Sequence, residues 1–243
     1  MTSAANPPPL SNGNDWWTEP AGIDQRYRFY QKRSYPAFNH ATWLLLHTTL
    51  QSSYLGHALD LGCGQGGVGL HWLFYHHAQR VHFLDNQFPL LKVVNHNLRH
   101  NGLTSMAVTI CADFSSLSQL YPAHFFNTIA LNPPFYSPAS SRSPNHPLKA
   151  KAHSISDNTL KATFQAISKL LVPKGLFFCI YPVAFLTKIL YIMQQLRLHV
   201  EEIRFFSEND NRTHSLCVLT ARKNSRKGTR VVFLPAQGCR IEK

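Results

Sequence analysis

Short runs of consecutive apolar residues alternate with segments of helical period along most of this chain. Ala58-Leu59-Asp60-Leu61, Arg80 to Leu84, Met106 to Cys111, Thr128 to Leu131 and Leu176 to Tyr181 each have the length and content of a strand. Helical stretches separate or flank them. One runs from Asn39 to Leu50 around Trp43-Leu44-Leu45-Leu46, and another passes through Leu70, Leu73 and Phe74. A third follows Pro89 from Leu90 to Asn101 and is closed by Gly102. Asp157 caps a fourth with Leu160, Phe164, Ile167 and Leu171 on one face, stopped by Pro173-Lys174-Gly175, and Phe185 to Leu196 makes a fifth. Strand and helix in alternation predict an α/β, doubly wound and mostly parallel sheet. Leu176 to Tyr181 is apolar throughout and is expected to be buried on both faces. Val200 to Phe206 and Leu216 to Ala221, joined by the polar Ser207 to His214, read as an antiparallel C-terminal hairpin that completes a seven-stranded sheet.

Composition refines this picture at the ends. Residues 1–22 are rich in Pro, Ser, Asn and Gly and are expected to form a disordered tail, anchored at Trp16-Trp17. A single domain over 23–235 and a short tail over 236–243 account for the rest of a 243-residue chain that is 44% apolar. Lys and Arg number 24 against 12 acids, a net charge of +12 that favours a polyanionic partner. No apolar run reaches the ~18 residues of a membrane span and no signal-peptide pattern is present, so a soluble, cytoplasmic protein is expected. Cys63, Cys111, Cys179, Cys217 and Cys239 are dispersed without a Cys-x-x-Cys pair, which fits reduced and mostly buried thiols. The 14 histidines show no ligand spacing, so no metal is expected and they are read as surface or RNA-facing residues.

The chemistry concentrates where strands end. Asp60-Leu61-Gly62-Cys63-Gly64-Gln65-Gly66 is a strand opening into a glycine turn and then a helix, the unit that places a ligand at the carboxyl end of its strand. Gly62, Gly64 and Gly66 allow positive φ and close approach of the backbone. An acid before the first glycine repels a phosphate and suits a cofactor with an amino-acid tail, whose ammonium and sulfonium are cationic. Asp85, followed by Asn86, ends the next strand and suits the two hydroxyls of a ribose. Asp113-Phe114, after the third, suits an adenine, the acid on its amine and the ring on its face. A helix cap is the competing reading of both acids.

About 70 residues beyond the glycine turn, Asn132-Pro133-Pro134-Phe135 follows the fourth strand. The lone pair of a base amine or a side-chain amide is delocalised, so a site that uses it as a nucleophile must accept its hydrogens as it rehybridises. The Asn132 oxygen and the Pro133 carbonyl can do so together, because two prolines fix φ and remove competing donors. Phe135 supplies a face for a flat ring. Three basic stretches accompany this constellation: Gln25 to Arg33, which interleaves cations with aromatics; the acid-free Pro/Ser loop 136–154 with Arg142, Lys149 and Lys151; and the tail Arg222 to Arg230, with five cations in nine residues.

With Tyr27-Arg28-Phe29, the Asn95 to Gly102 segment, Ser168 to Gly175 and Ile203-Arg204-Phe205, these residues resemble the class I S-adenosylmethionine-dependent methyltransferases. Within that class the chain is similar to the bacterial family that methylates adenine N6 in valine tRNA. The resemblance implies a Rossmann-like fold and S-adenosyl-L-methionine as cofactor, held by Asp60, Gly62, Gly64, Gly66, Asp85, Asn86, Asp113 and Phe114. It also implies Asn132, Pro133, Pro134 and Phe135 as the catalytic residues and RNA as partner. The family usually carries Tyr where Phe135 stands, and Phe is common in enzymes that methylate guanine N2 of ribosomal RNA. That reaction, a protein glutamine substrate, and an RNA-binding module without catalysis are the alternatives.

Overall fold

The computed structural model describes residues 15–53, 55–133, 157–207 and 214–235. Each apolar run becomes a strand followed by a helix that crosses back over the sheet. Thus β3 (His57–Leu61) leads to α2 (Gly67–Phe74) and β4 (Arg80–Asp85) to α3 (Phe88–His100), while α1 (His40–Leu50), capped by Asn39, precedes them. The short α4 (Leu117–Leu120) links β5 (Ala107–Cys111) to β6 (Phe126–Leu131). Then α5 (Asp157–Leu170), β7 (Leu171–Pro182), α6 (Leu186–Gln195), β8 (Leu198–Ser207) and β9 (His214–Lys223) follow, in that order.

The sheet has eight strands in the order β10-β8-β9-β7-β6-β3-β4-β5, where β10 is Arg230–Pro235. Only β9 runs antiparallel to its neighbours. This is the Rossmann-like, mostly parallel architecture expected, with one strand more than the seven anticipated. The chain steps outward from β3 to β5 and returns to β6 on the other side of β3, so the topological switch point lies between β3 and β6.

Alternation along β7 feeds both faces: Leu176, Phe178 and Ile180 pack in the layer with Leu44, Leu45, Trp72 and Val94 of α1, α2 and α3. Phe177, Cys179 and Tyr181 pack with Phe164 and Ile167 of α5 and Ile189 and Met193 of α6. All six of these β7 side chains are buried, as a strand covered on both faces requires.

Four expectations are corrected. Residues 16–21, placed in an unstructured tail on average composition, form β1 (Trp16–Ala21), paired residue for residue with β2 (Tyr27–Lys32). The polar average of the first 22 residues hid a pairing that is decided outside them. Arg222 to Arg230, read as a basic tail, is the end of β9, a turn and the start of β10; the Arg230 guanidinium pairs with Glu202, and Phe233 stacks on Phe205 at 5.2 Å. His71 and His82 are buried, not surface residues, and burial lowers each ring to about 4, so both are neutral core groups. The Pro173-Lys174-Gly175 stop lies inside β7 as an irregularity, where the partners on β6 shift register.

Asn97 of α3 and Asn101, which caps its carboxyl end, extend β2 from its other edge. Asn97 Oδ1 accepts from Tyr30 N at 2.7 Å and its Nδ2 donates to Tyr30 O at 2.8 Å. Asn101 does the same for Arg28, at 2.9 and 2.8 Å. Spaced i, i+4 on one helical face, they imitate a neighbouring strand for alternate residues of β2.

Candidate active site

Leu61, Leu84 and Leu131 stand level across three adjacent parallel strands. Gly62, Asp85 and Asn132 therefore begin their loops at one height, around the switch point. The glycine turn folds toward β4: Gly62 N and Cys63 N both donate to Leu84 O, at 2.8 and 3.1 Å, and Gly66 N closes the turn on Cys63 O at 2.8 Å. Gly62, Gly64 and Gly66 have φ of +70°, +56° and +86°, conformations that side chains rarely adopt. Among the described residues nothing lies within 4 Å of where a Gly64 Cβ would stand, so the turn is open to a ligand there. The Phe114 ring edge is 3.1 Å from the corresponding point at Gly62, which sets that ring against the turn.

The acids brace this rim. Asp85 Oδ2 accepts from Gly64 N and its Oδ1 from Gln87 N, both at 2.9 Å, so one carboxylate ties the glycine turn to the start of α3. Asp60 is buried with Oδ2 accepting from Gly69 N at 2.8 Å. Burial pushes its carboxyl up to about 7; the Gly69 bond opposes this and the Asp85 charge adds to it. Burial also raises Asp85, against its backbone hydrogen bonds. Among the described residues neither acid has a salt-bridge partner, in a chain with twice as many cations as acids. Two adjacent buried carboxylates left without a counter-charge fit a cationic ligand. Asp113 is exposed, accepts from Ser115 N at 2.9 Å and from the Asn86 side chain, and is held below the usual carboxylate range by those bonds. The sequence-named cofactor residues thus converge on one rim, although Asp113 is also the cap that the competing reading describes.

Asn132 and Pro133 reach the same rim from β6, whereas Pro134, Phe135 and loop 136–154 lie outside the described residues. Asn132 Nδ2 donates to Thr42 Oγ1 at 3.0 Å, a contact across 90 residues that sequence spacing gives no hint of. Gln65, an unremarked letter of the glycine turn, accepts from Lys32 N at 2.7 Å and donates to Pro36 O at 2.8 Å, fastening the segment after β2 over the turn.

The basic stretches are divided by the fold. In β2, Tyr27 and Phe29 are core residues and only Arg28 and its neighbours Arg26 and Arg33 face out. At the amino end of β7, far from the glycine turn along the strands, Lys174, Arg222, Arg226 and Lys227 line a cavity of about 440 Å³ with Glu201 and Ser225. Arg222 is held by Glu201 at 3.2 Å, and buried Lys223 donates to Leu171 O at 2.8 Å. Arg226, Lys227 and Arg230 are the exposed cations of that stretch, and of these Arg230 is paired with Glu202.

The model of the methyltransferase small domain family matches residues 34–178, more than half of the chain and the part that carries this rim. The chain belongs to that family. It is an S-adenosylmethionine-dependent methyltransferase. Solved structures agree at the level of fold. A predicted O-methyltransferase from Agrobacterium tumefaciens is 17% identical, with a TM-score of 0.58 over 79% of this chain and 85% of that one. The tRNA m1G37 methyltransferase of M. jannaschii is 12% identical, with a TM-score of 0.63 over 88% of this chain and 59% of that one. The N-methyltransferase NodS of Bradyrhizobium japonicum, solved with S-adenosyl-L-homocysteine, is 15% identical, with a TM-score of 0.53 over 76% and 86%. No curated protein matches this methyltransferase in sequence.

Proposed function

We propose that this methyltransferase methylates an exocyclic base amine in RNA, with adenine N6 of tRNA as its target. The observation that carries the proposal is Asn132 at the carboxyl end of β6, level with the glycine turn, its Nδ2 engaged by Thr42 and its Oδ1 without a partner among the described residues. That oxygen and the Pro133 carbonyl accept the two hydrogens of the amine and turn its lone pair toward the cofactor. S-adenosylmethionine supplies an electrophilic methyl group. Asp60 and the turn from Gly62 to Gly66 hold its amino-acid tail, Asp85 and Asn86 its ribose, and Asp113 with Phe114 its adenine. Phe135 stacks the flipped base. Positioning supplies most of the rate, because the amine loses its proton only after it has become cationic.

An RNA substrate is supported by the net charge of +12 and by the exposed cations Arg26, Arg28, Arg33, Arg226 and Lys227. The tRNA specificity stated for the M. jannaschii enzyme is consistent with it. Phe135 favours one second reading, guanine N2 of ribosomal RNA. Asn132→Ala tests the site: transfer of label from S-adenosylmethionine to total bacterial RNA should fall by about 100-fold or more while S-adenosylhomocysteine binding is unchanged. Retained turnover overturns the assignment of the amine-binding residue.

A further inference from the structure

We infer that Asn39 and Thr42 form a relay that sets which way round the Asn132 amide stands, and that Thr42 is a positioning residue for methyl transfer. The inference rests on Asn132 being the residue that accepts from the amine. An Asn side chain presents an acceptor on one side and a donor on the other, and its two orientations have nearly the same shape. With Nδ2 toward the substrate the site would present hydrogens to hydrogens and could not hold an amine. Something must decide the orientation, and the relay does so from a group that admits no ambiguity.

The Thr42 backbone N–H can only donate, and it donates to Asn39 Oδ1 at 2.9 Å, which fixes Asn39 as the acceptor. The same Oδ1 lies 3.0 Å from Thr42 Oγ1, so the hydroxyl must direct its one hydrogen there. What remains on Oγ1 is lone pairs. Asn132 stands 3.0 Å from that oxygen and can meet it only with Nδ2, which leaves Oδ1 turned the other way. The helix cap of α1 thus determines, through one hydroxyl, the polarity of the amide at the end of β6. The other branch of Thr42, its Cγ2 methyl, lies 3.0 Å from where a Gly67 Cβ would stand, on the α2 side. Hydroxyl and methyl therefore do separable jobs.

That separation gives the test. Thr42→Val keeps the methyl and removes the hydroxyl; Thr42→Ser does the reverse. With label from S-adenosylmethionine followed into total bacterial RNA, Thr42→Val should lower kcat about tenfold, the cost of losing one ordering hydrogen bond. KM for RNA and the Kd for S-adenosylhomocysteine should stay within about twofold, and Thr42→Ser should retain the wild-type kcat. The reverse ranking, Ser impaired and Val unimpaired, would show a packing role and overturn the relay, as would wild-type kcat in both. Asn132→Ala, run alongside, separates the two levels. If it is inactive and Thr42→Val is normal, only the relay fails. If it is active, or if the wild type transfers no label to any RNA, the reading of Asn132 fails and the relay with it.

Discussion

Asp60 should couple cofactor binding to a proton. Its carboxyl is buried, lacks a cation among the described residues, and is pushed from an ordinary 3.8 up to about 7. S-adenosylhomocysteine carries the ammonium of the amino-acid tail without the sulfonium charge, so it isolates the interaction assigned to this acid. If the ammonium binds only the ionised form, the competent fraction rises from about 0.1 at pH 6 to about 0.75 at pH 7.5, and affinity rises about eightfold. The same group acts on stability in the opposite direction. Because its folded value lies above its unfolded value, the native state holds the proton more tightly. The stability this contributes is full below about pH 4 and is lost as pH rises through about 7, a change of about 4 kcal/mol over some three pK units. Calorimetric titration between pH 6 and 7.5, in buffers of different ionisation enthalpy, measures the affinity and the proton released. Asp60→Asn can still accept from Gly69 N, so the α2 turn survives while the pH dependence should vanish and affinity at pH 7.5 fall at least about tenfold. A wild-type affinity that does not change over this range would refute the coupling, and a slope that persists in Asp60→Asn would assign it to another group, first to Asp85, whose charge acts on Asp60.

Two further outcomes are expected. Asn97→Ala strips buried partners from both Tyr30 N and Tyr30 O, and should cost about 2–4 kcal/mol, read as a fall in thermal midpoint of roughly 5–15 °C. Replacing Arg226 and Lys227 together by Ala should raise KM for RNA with kcat unchanged, and should reduce the slope of log affinity against log salt by roughly 1 to 2.

Much of the rim is legible in the residues themselves, because its chemistry is local: an acid, a strand end and glycines in positive φ lie within Asp60 to Gly66. The strand periods likewise locate β3, β4, β6 and β7, whose burial is set by their own apolar runs. What stays hidden is decided between distant segments. Thr42 means nothing until α1 comes to lie beside β6. Trp16 to Ala21 looks like a tail until β2 offers it a partner. Of the five cations between Arg222 and Arg230, Arg222, Lys223 and Arg230 look free for phosphate until Glu201, the Leu171 carbonyl and Glu202 engage them. A charge run reports composition, and only the fold reveals which charges are already answered.

The product of the reaction tests the central claim most directly. The protein is incubated with labelled S-adenosylmethionine and total RNA from a strain lacking its gene, the RNA is digested to nucleosides, and the labelled nucleoside is identified. N6-methyladenosine in the tRNA fraction is the expected result. Label recovered as N2-methylguanosine in ribosomal RNA would contradict the adenine assignment, and label found only in protein would contradict the RNA substrate itself.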